Sequence, residues 1–275
     1  MVALLRQMQE WVQRNSGSLR LTCLTQEVEA EFFRDYLDPV FHDKRVLPPT
    51  RPTQGINKNP LIYELETRKA SKYPARKINL ILYNDASEDY IPPERMVQFV
   101  RHFFFANAII LLVDPNTIPE ISGRLPQGLQ YSTSTGRSAS RLLNSILEVL
   151  KQYHGSDARN DLPVAITISK SDLLKYNELI DSSYRFFSSP TYSGGLDLQD
   201  RRAVDKEVRK IIREIGDESL LLAAQKLKQV NFFAVSATGQ APDESGTYPS
   251  ITPYRCLDPI LWILYELGII GGSVP

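Results

Sequence analysis

Two nearly continuous aliphatic runs, Ile78 to Tyr83 and Ala108 to Val113, constrain this chain most. Uninterrupted apolar runs of that length, rich in β-branched residues, belong to strands covered on both faces by helices. Two more strand signatures follow, from Leu162 into Ser169 and from Asn231 into Ser236. Helical spacing fills the intervals. Met96, Val97, Val100, Phe103 and Phe104 recur at three and four residues, as do Leu142, Leu143, Ile146, Leu147 and Leu150. Val204, Val208, Ile211, Ile212 and Ile215 do the same, and Leu220 to Leu227 reads as a further helix. Strands alternating with helices predict an α/β fold, a mostly parallel sheet with helices on both faces. In such sheets ligands bind beyond the carboxyl ends of the strands.

The N-terminal part is patterned differently. Val2, Leu4, Leu5, Met8, Trp11 and Val12 predict an amphipathic helix that Asn15-Ser16-Gly17 ends. A short strand reads from Leu19 to Leu24, then a helix presenting Val28, Phe32, Phe33, Tyr36 and Leu37. Four prolines and a glycine between Val46 and Pro60 mark a loop. Leu61, Tyr63 and Leu65 alternate as in a half-buried edge strand. Ile121 to Ser140 is a Gly/Ser/Thr-rich excursion, and an apolar helix from Leu257 to Leu267 closes the chain, with Pro259 in its first turn.

Composition narrows the function classes. Lysine and arginine number 32 against 32 aspartates and glutamates, so no net field favours nucleic acid. Cys23 and Cys256 lie far apart and suit a reducing cytoplasm. No apolar run reaches the ~18–20 residues of a membrane span. His42, His102 and His154 show no metal-ligand spacing with the cysteines, so no metal site of the chain's own is expected. A cytoplasmic protein without a membrane span, with protein rather than nucleic-acid partners, is the expectation.

Two strand ends carry the most specific chemistry. The first delivers Ser169-Lys170-Ser171-Asp172. A carboxylate two residues beyond a lysine can accept both donors on the edge of guanine, while the lysine stem covers the base plane. The plainer reading is a helix start capped by Ser171 or Asp172. The second end delivers Ser236-Ala237, with Gly239 allowing a tight turn. In this order the pair resembles the guanine-recognition motifs of P-loop GTPases. Lys170 and Asp172, with Ser169, Ser236 and the Ala237 backbone, are then the base-reading residues that the resemblance implies.

Leu82-Tyr83-Asn84-Asp85-Ala86-Ser87-Glu88-Asp89 is similar to the D-x-A-G-E-D stretch of bacterial TRAFAC-class GTPases, including the domains called double-GTPase. The resemblance implies a degenerate second switch built from Asn84, Ser87 and Glu88. Asn84 stands where an aspartate holds magnesium, and Ser87 where a glycine N–H meets the γ-phosphate. Asp85 is one residue off and alternates to the other face. Leu111-Leu112-Val113-Asp114-Pro115 and the helix from Leu257 resemble the same families, and Thr50 and Thr53 are candidates for a first-switch threonine. The complete form of such a domain hydrolyses GTP with Mg²⁺.

The phosphate loop is missing from the sequence. Gly123 to Gly128 is its only G-x-x-x-x-G spacing, and Leu129-Gln130 follows instead of lysine and a hydroxyl. The expectation is therefore one GTPase-like domain over 1–275, N-terminally truncated, with a helical insertion over 180–228. Completed upstream it would be a GTP/GDP switch. As it stands it reads as a binding module or a non-catalytic scaffold subunit, aggregation-prone or dependent on a partner.

Overall fold

The computed structural model describes residues 1–48, 59–68, 75–83, 94, 96–97, 101–130, 138–154, 161–178, 180–192, 195–215 and 217–273. Helix α1 (Val2–Arg14) leads into strand β1 (Leu19–Cys23) and helix α2 (Gln26–Phe32), which continues through a π-type turn at Phe33–Leu37. Strands β2 (Leu61–Thr67) and β3 (Arg76–Leu82) follow, then a 3₁₀ turn at Arg101–Phe105 and strand β4 (Ile109–Val113). Helix α3 (Ala139–His154) precedes strand β5 (Val164–Ile168). The short strand β6 (Leu196–Asp197) opens helix α4 (Leu198–Glu214), followed by α5 (Glu218–Ala224) and strand β7 (Val230–Ala234). Helix α6 (Asp258–Glu266) and strand β8 (Gly272–Ser273) close the chain.

Local chemistry sets several of these boundaries. Asn15 ends α1, its side-chain amide donating to the Trp11 carbonyl at 2.8 Å. The Asp197 carboxylate caps α4 by accepting from the amides of Gln199 and Asp200 at 2.9 and 3.0 Å.

The expected parallel sheet with helices on both faces is present in part. Strands β4, β5 and β7 form a parallel sheet with β5 in the middle, and β1, β2 and β3 form a separate antiparallel one. The parallel sheet is covered on both faces. Val164, Ile166, Ile168, Phe232 and Ala234 pack with α3, α4 and α5, whereas Ala165 and Phe233 turn to α1 and α6. The antiparallel sheet offers one face to that second core, through Leu61, Tyr63 and Leu65. The aliphatic run in β3 therefore misleads. Ile78, Leu80 and Leu82 are only half-buried and Ile81 is 52% exposed, because one face of β3 meets the α1 core and the other does not. Within the segment read as an insertion, α4 packs on β7 and shares the core of the parallel sheet.

One buried cation ties this helical segment to the C-terminal helix. Arg255 is 2% exposed. Its guanidinium donates to both carboxylate oxygens of Asp200 at 2.7 and 3.1 Å, to Asp258 at 2.8 Å and to the Arg185 carbonyl at 3.1 Å. Burial opposes the Arg255 charge, but Asp258 and Asp200 outweigh it and hold the group firmly protonated. On the far side of Asp258, the Tyr192 hydroxyl donates at 2.5 Å. Replacing Arg255 by alanine leaves the buried Asp258 without its cation and Asp200 with only Arg185 at 3.7 Å. That loss is expected to cost about 3–5 kcal/mol, read by urea denaturation.

Candidate functional site

The ladder sets Val113, Ile168 and Ala234 side by side, so the segments leaving all three parallel strands start at one level. The Ser169 amide and hydroxyl both donate to the Val113 carbonyl, at 2.9 and 3.1 Å. The Ser171 amide donates across to the Val235 carbonyl at 3.0 Å. These bonds draw the two sequence motifs together.

Ser169, Lys170, Asp172 and Ser236 do converge. The Asp172 side chain is 4% exposed, and one of its oxygens accepts from the Ser236 hydroxyl at 2.5 Å. That hydroxyl oxygen accepts in turn from the amides of Gly239 at 2.7 Å and Thr238 at 3.3 Å. Two backbone donors thus aim the serine proton at Asp172. The 3₁₀ turn at Ser171–Tyr176 has no side-chain cap, so Asp172 is committed to Ser236 rather than to a helix start. Burial pushes the Asp172 carboxyl above the ordinary carboxylate range, with the Ser236 bond pulling the other way.

Lys170 sits in the left-handed region at φ 49° and extends to Asp114 at the end of β4, Nζ to Oδ2 at 2.7 Å. The lysine side chain is 50% exposed, and such a pair contributes only ~0–1 kcal/mol. Asp114 also caps the turn after β4 by accepting from the Asn116 amide at 3.0 Å. Ala237 is exposed, and its N–H has no partner among the described residues. Asn84, Ser87 and Glu88, with Thr50 and Thr53, lie outside the described residues.

Residues that sequence reasoning did not assign to the site complete its walls. The Tyr254 hydroxyl meets the Ser171 hydroxyl at 3.3 Å, and Tyr254 pairs with Ser236 through two backbone bonds of 3.0 and 3.1 Å. Burial raises the Tyr254 phenol well above its usual range. The Cys256 thiol, pushed up to about 12 by burial, donates to the Ser236 carbonyl at 3.1 Å. The side-chain amide of Asn116 is buried with neither polar atom bonded. Asp114 was legible as a polar residue ending an aliphatic strand. Tyr254 arrives from a long polar loop, and no spacing in the sequence announces it. Among the described residues no cluster of metal ligands exists. A cavity of about 230 Å³ lies elsewhere, beside Tyr192, Arg201 and Asp258.

No family model matches this chain, and no solved structure matches it. The chain is similar to a Mycolicibacterium smegmatis protein, SaeC, named for ESX-1 scaffolding and assembly. Identity is 22% over 267 residues. The match takes in 90% of this chain but 66% of that protein, just under two thirds of its length. Among the described residues no helix is long and apolar enough to cross a membrane.

Two outcomes follow from the Asp172 network. The fold raises the Asp172 carboxyl, so ionising it costs more in the folded chain than in the unfolded one. The stabilising contribution is therefore full below the unfolded carboxylate pKa and is lost as pH rises through the higher folded value. Asp172→Asn is expected to match the native chain near pH ~4 and to exceed it in denaturant resistance near pH ~7. Equal gaps at both values would refute the shift. Gly239 has φ +81°, and an added Cβ would lie 2.4 Å from the Thr252 carbonyl oxygen. Gly239→Ala is expected to lower the unfolding free energy by ~1–3 kcal/mol.

Proposed function

We propose that this chain works as a protein-interaction module, a non-catalytic scaffold subunit built on a GTPase-like fold. The observation that carries this reading is the likeness to the protein named for ESX-1 scaffolding and assembly. Two further points support it. The 275 residues contain no G-x-x-x-x-G-K-[S/T], the motif in which backbone N–H groups and a lysine cradle phosphates. The base-end groups are also occupied within the protein, Asp172 by Ser236 and Lys170 by Asp114.

A second reading, a guanine-nucleotide switch, is favoured by one arrangement. Asp172, Ser236 and the exposed Ala237 N–H stand together at the carboxyl ends of neighbouring parallel strands. Those residues fit a guanine edge in kind, since one Asp172 oxygen is held by Ser236 and a base could take the other. Lys170 could swing from Asp114 at little cost, given how weak an exposed ion pair is. GTP or GDP would be held by these residues at the base, and Mg²⁺ would neutralise phosphate charge. Among the described residues no group of three or more His, Cys, Asp or Glu side chains that could hold a metal ion accompanies them.

Calorimetric titration with GTP and GDP, with and without Mg²⁺, separates the two. The scaffold reading predicts no heat of binding up to about millimolar nucleotide, the level at which binding free energy is only ~4 kcal/mol. Micromolar binding that Asp172→Ala abolishes would establish the switch instead.

A further inference from the structure

Among the described residues, strands β3 and β4 each leave one ladder edge unpaired beside a filled core. In β4 the Ile109 amide donates to the Pro163 carbonyl, and the Val113 carbonyl accepts from Ser169, both at 2.9 Å. Successive residues of a strand turn their backbone groups to opposite sides, so Ile110 and Leu112 face away from β5. In β2 the Ile62 carbonyl accepts from Leu24, which turns the even-numbered residues to β1 and the odd-numbered ones to β3. The register then sets Ile78, Leu80 and Leu82 against β2 and leaves Lys77, Asn79 and Ile81 facing outward. The outward backbone groups of Lys77, Asn79, Ile81, Ile110 and Leu112 have no partner among the described residues.

The opposite edge of the parallel sheet shows how this protein closes an edge. There the outward amide of Phe232 in β7 donates to the Asp205 carboxylate of α4 at 2.8 Å. Around β3 and β4 the side chains are as open as the backbone. Ile81 is 52% exposed, Leu112 56%, and Phe105, just before β4, 68%. Beneath them Ile78, Leu80, Leu82, Ala108 and Ile110 rest on one core with α1 and α6. The chain enters β4 from the 3₁₀ turn at Arg101–Phe105.

The geometry points to an acceptor slot: β3 and β4 flank the place of one strand, and its occupant is an extended, uncharged segment of a partner polypeptide. Only an extended backbone presents alternating donors and acceptors on both sides at ladder spacing. Only apolar side chains can cover Ile81 and Leu112 without burying an unpaired polar group. Left empty, two such edges would invite aggregation. This inference rests on the interaction-module reading and names the surface through which the module acts.

Backbone amide exchange, followed residue by residue in the 275-residue chain, tests the slot. The probe is a synthetic valine-rich peptide flanked by lysines, and the control is the same peptide with alternate valines replaced by proline. The amides of Asn79, Ile81, Ile110 and Leu112 are expected to exchange fast in the free chain. The valine peptide is expected to slow them about tenfold or more, equivalent to ~1.4 kcal/mol, with Leu111 and Val113 unchanged. Ile81→Lys and Leu112→Lys alter exposed positions, so they should leave thermal unfolding intact and abolish the slowing. The slot is overturned if the peptide has no effect up to its solubility limit, or if the proline control acts equally. It is also overturned if those amides are already as slow as Leu111 in the free monomer, or if their protection grows with protein concentration, which would make the occupant a second copy. Nucleotide binding would defeat the interaction-module reading without changing this exchange pattern, so the two failures are distinguishable.

Discussion

Strand β5 is the member on which the arrangement depends. All five of its residues are buried, and it is hydrogen-bonded on both sides. A strand in that position cannot slip by one residue without turning Ile166 and Thr167 to the wrong faces, because side chains alternate with a period of two. The register of its neighbours is therefore locked. Asp114, Ser169 and Val235 emerge at one level because Val113, Ile168 and Ala234 are held there. The polar network beyond the sheet is a consequence of an apolar ladder.

Two kinds of buried polarity extend from that ladder. At Asp172 the carboxylate has little water, and a charge-assisted hydrogen bond from Ser236, generally worth ~1.5–3 kcal/mol, compensates part of the desolvation. At Arg255 the compensation is fuller, since one guanidinium answers Asp200, Asp258 and a backbone carbonyl together. The first network is local to the strand ends. The second joins segments 70 residues apart and links Asp200 of α4 to Asp258 of α6 through one guanidinium. Gln7 adds a third tie, its side chain bonding the Pro253 carbonyl and the Leu257 amide from α1.

The open edges of β3 and β4 follow from the same logic in reverse. Both strands are apolar enough to belong inside a sheet, yet among the described residues each is paired on one side only. The α1–α6 core supports one face of both, which keeps them in place without completing their ladders. An apolar strand with a free edge is costly to keep bare, and β7, capped by Asp205, shows that the same chain can close one.

The positions of the strands in the α/β half, the helices read from Leu142 to Leu150 and from Val204 to Ile215, and the convergence of Ser169–Asp172 with Ser236 were legible in the residues, whereas the helix read from Met96 to Phe104 is described only as a 3₁₀ turn at Arg101–Phe105. Periodicity and strand-end polarity are local properties, and hydrophobic burial enforces them wherever the segment packs. What the residues could not reveal is pairing. The run in β3 reads like the run in β4, but one became antiparallel and half-exposed, and the other parallel. Nor could they show that Lys170 would turn to Asp114, that Tyr254 would come from a distant loop to wall in Asp172, or that Arg255 would be the buried hub. Those outcomes depend on contacts between segments far apart in the chain, where loop closure and competing partners decide. The composition of this chain therefore settled which segments would be strands and helices, and the tertiary structure alone decided which edges were satisfied and which charges met.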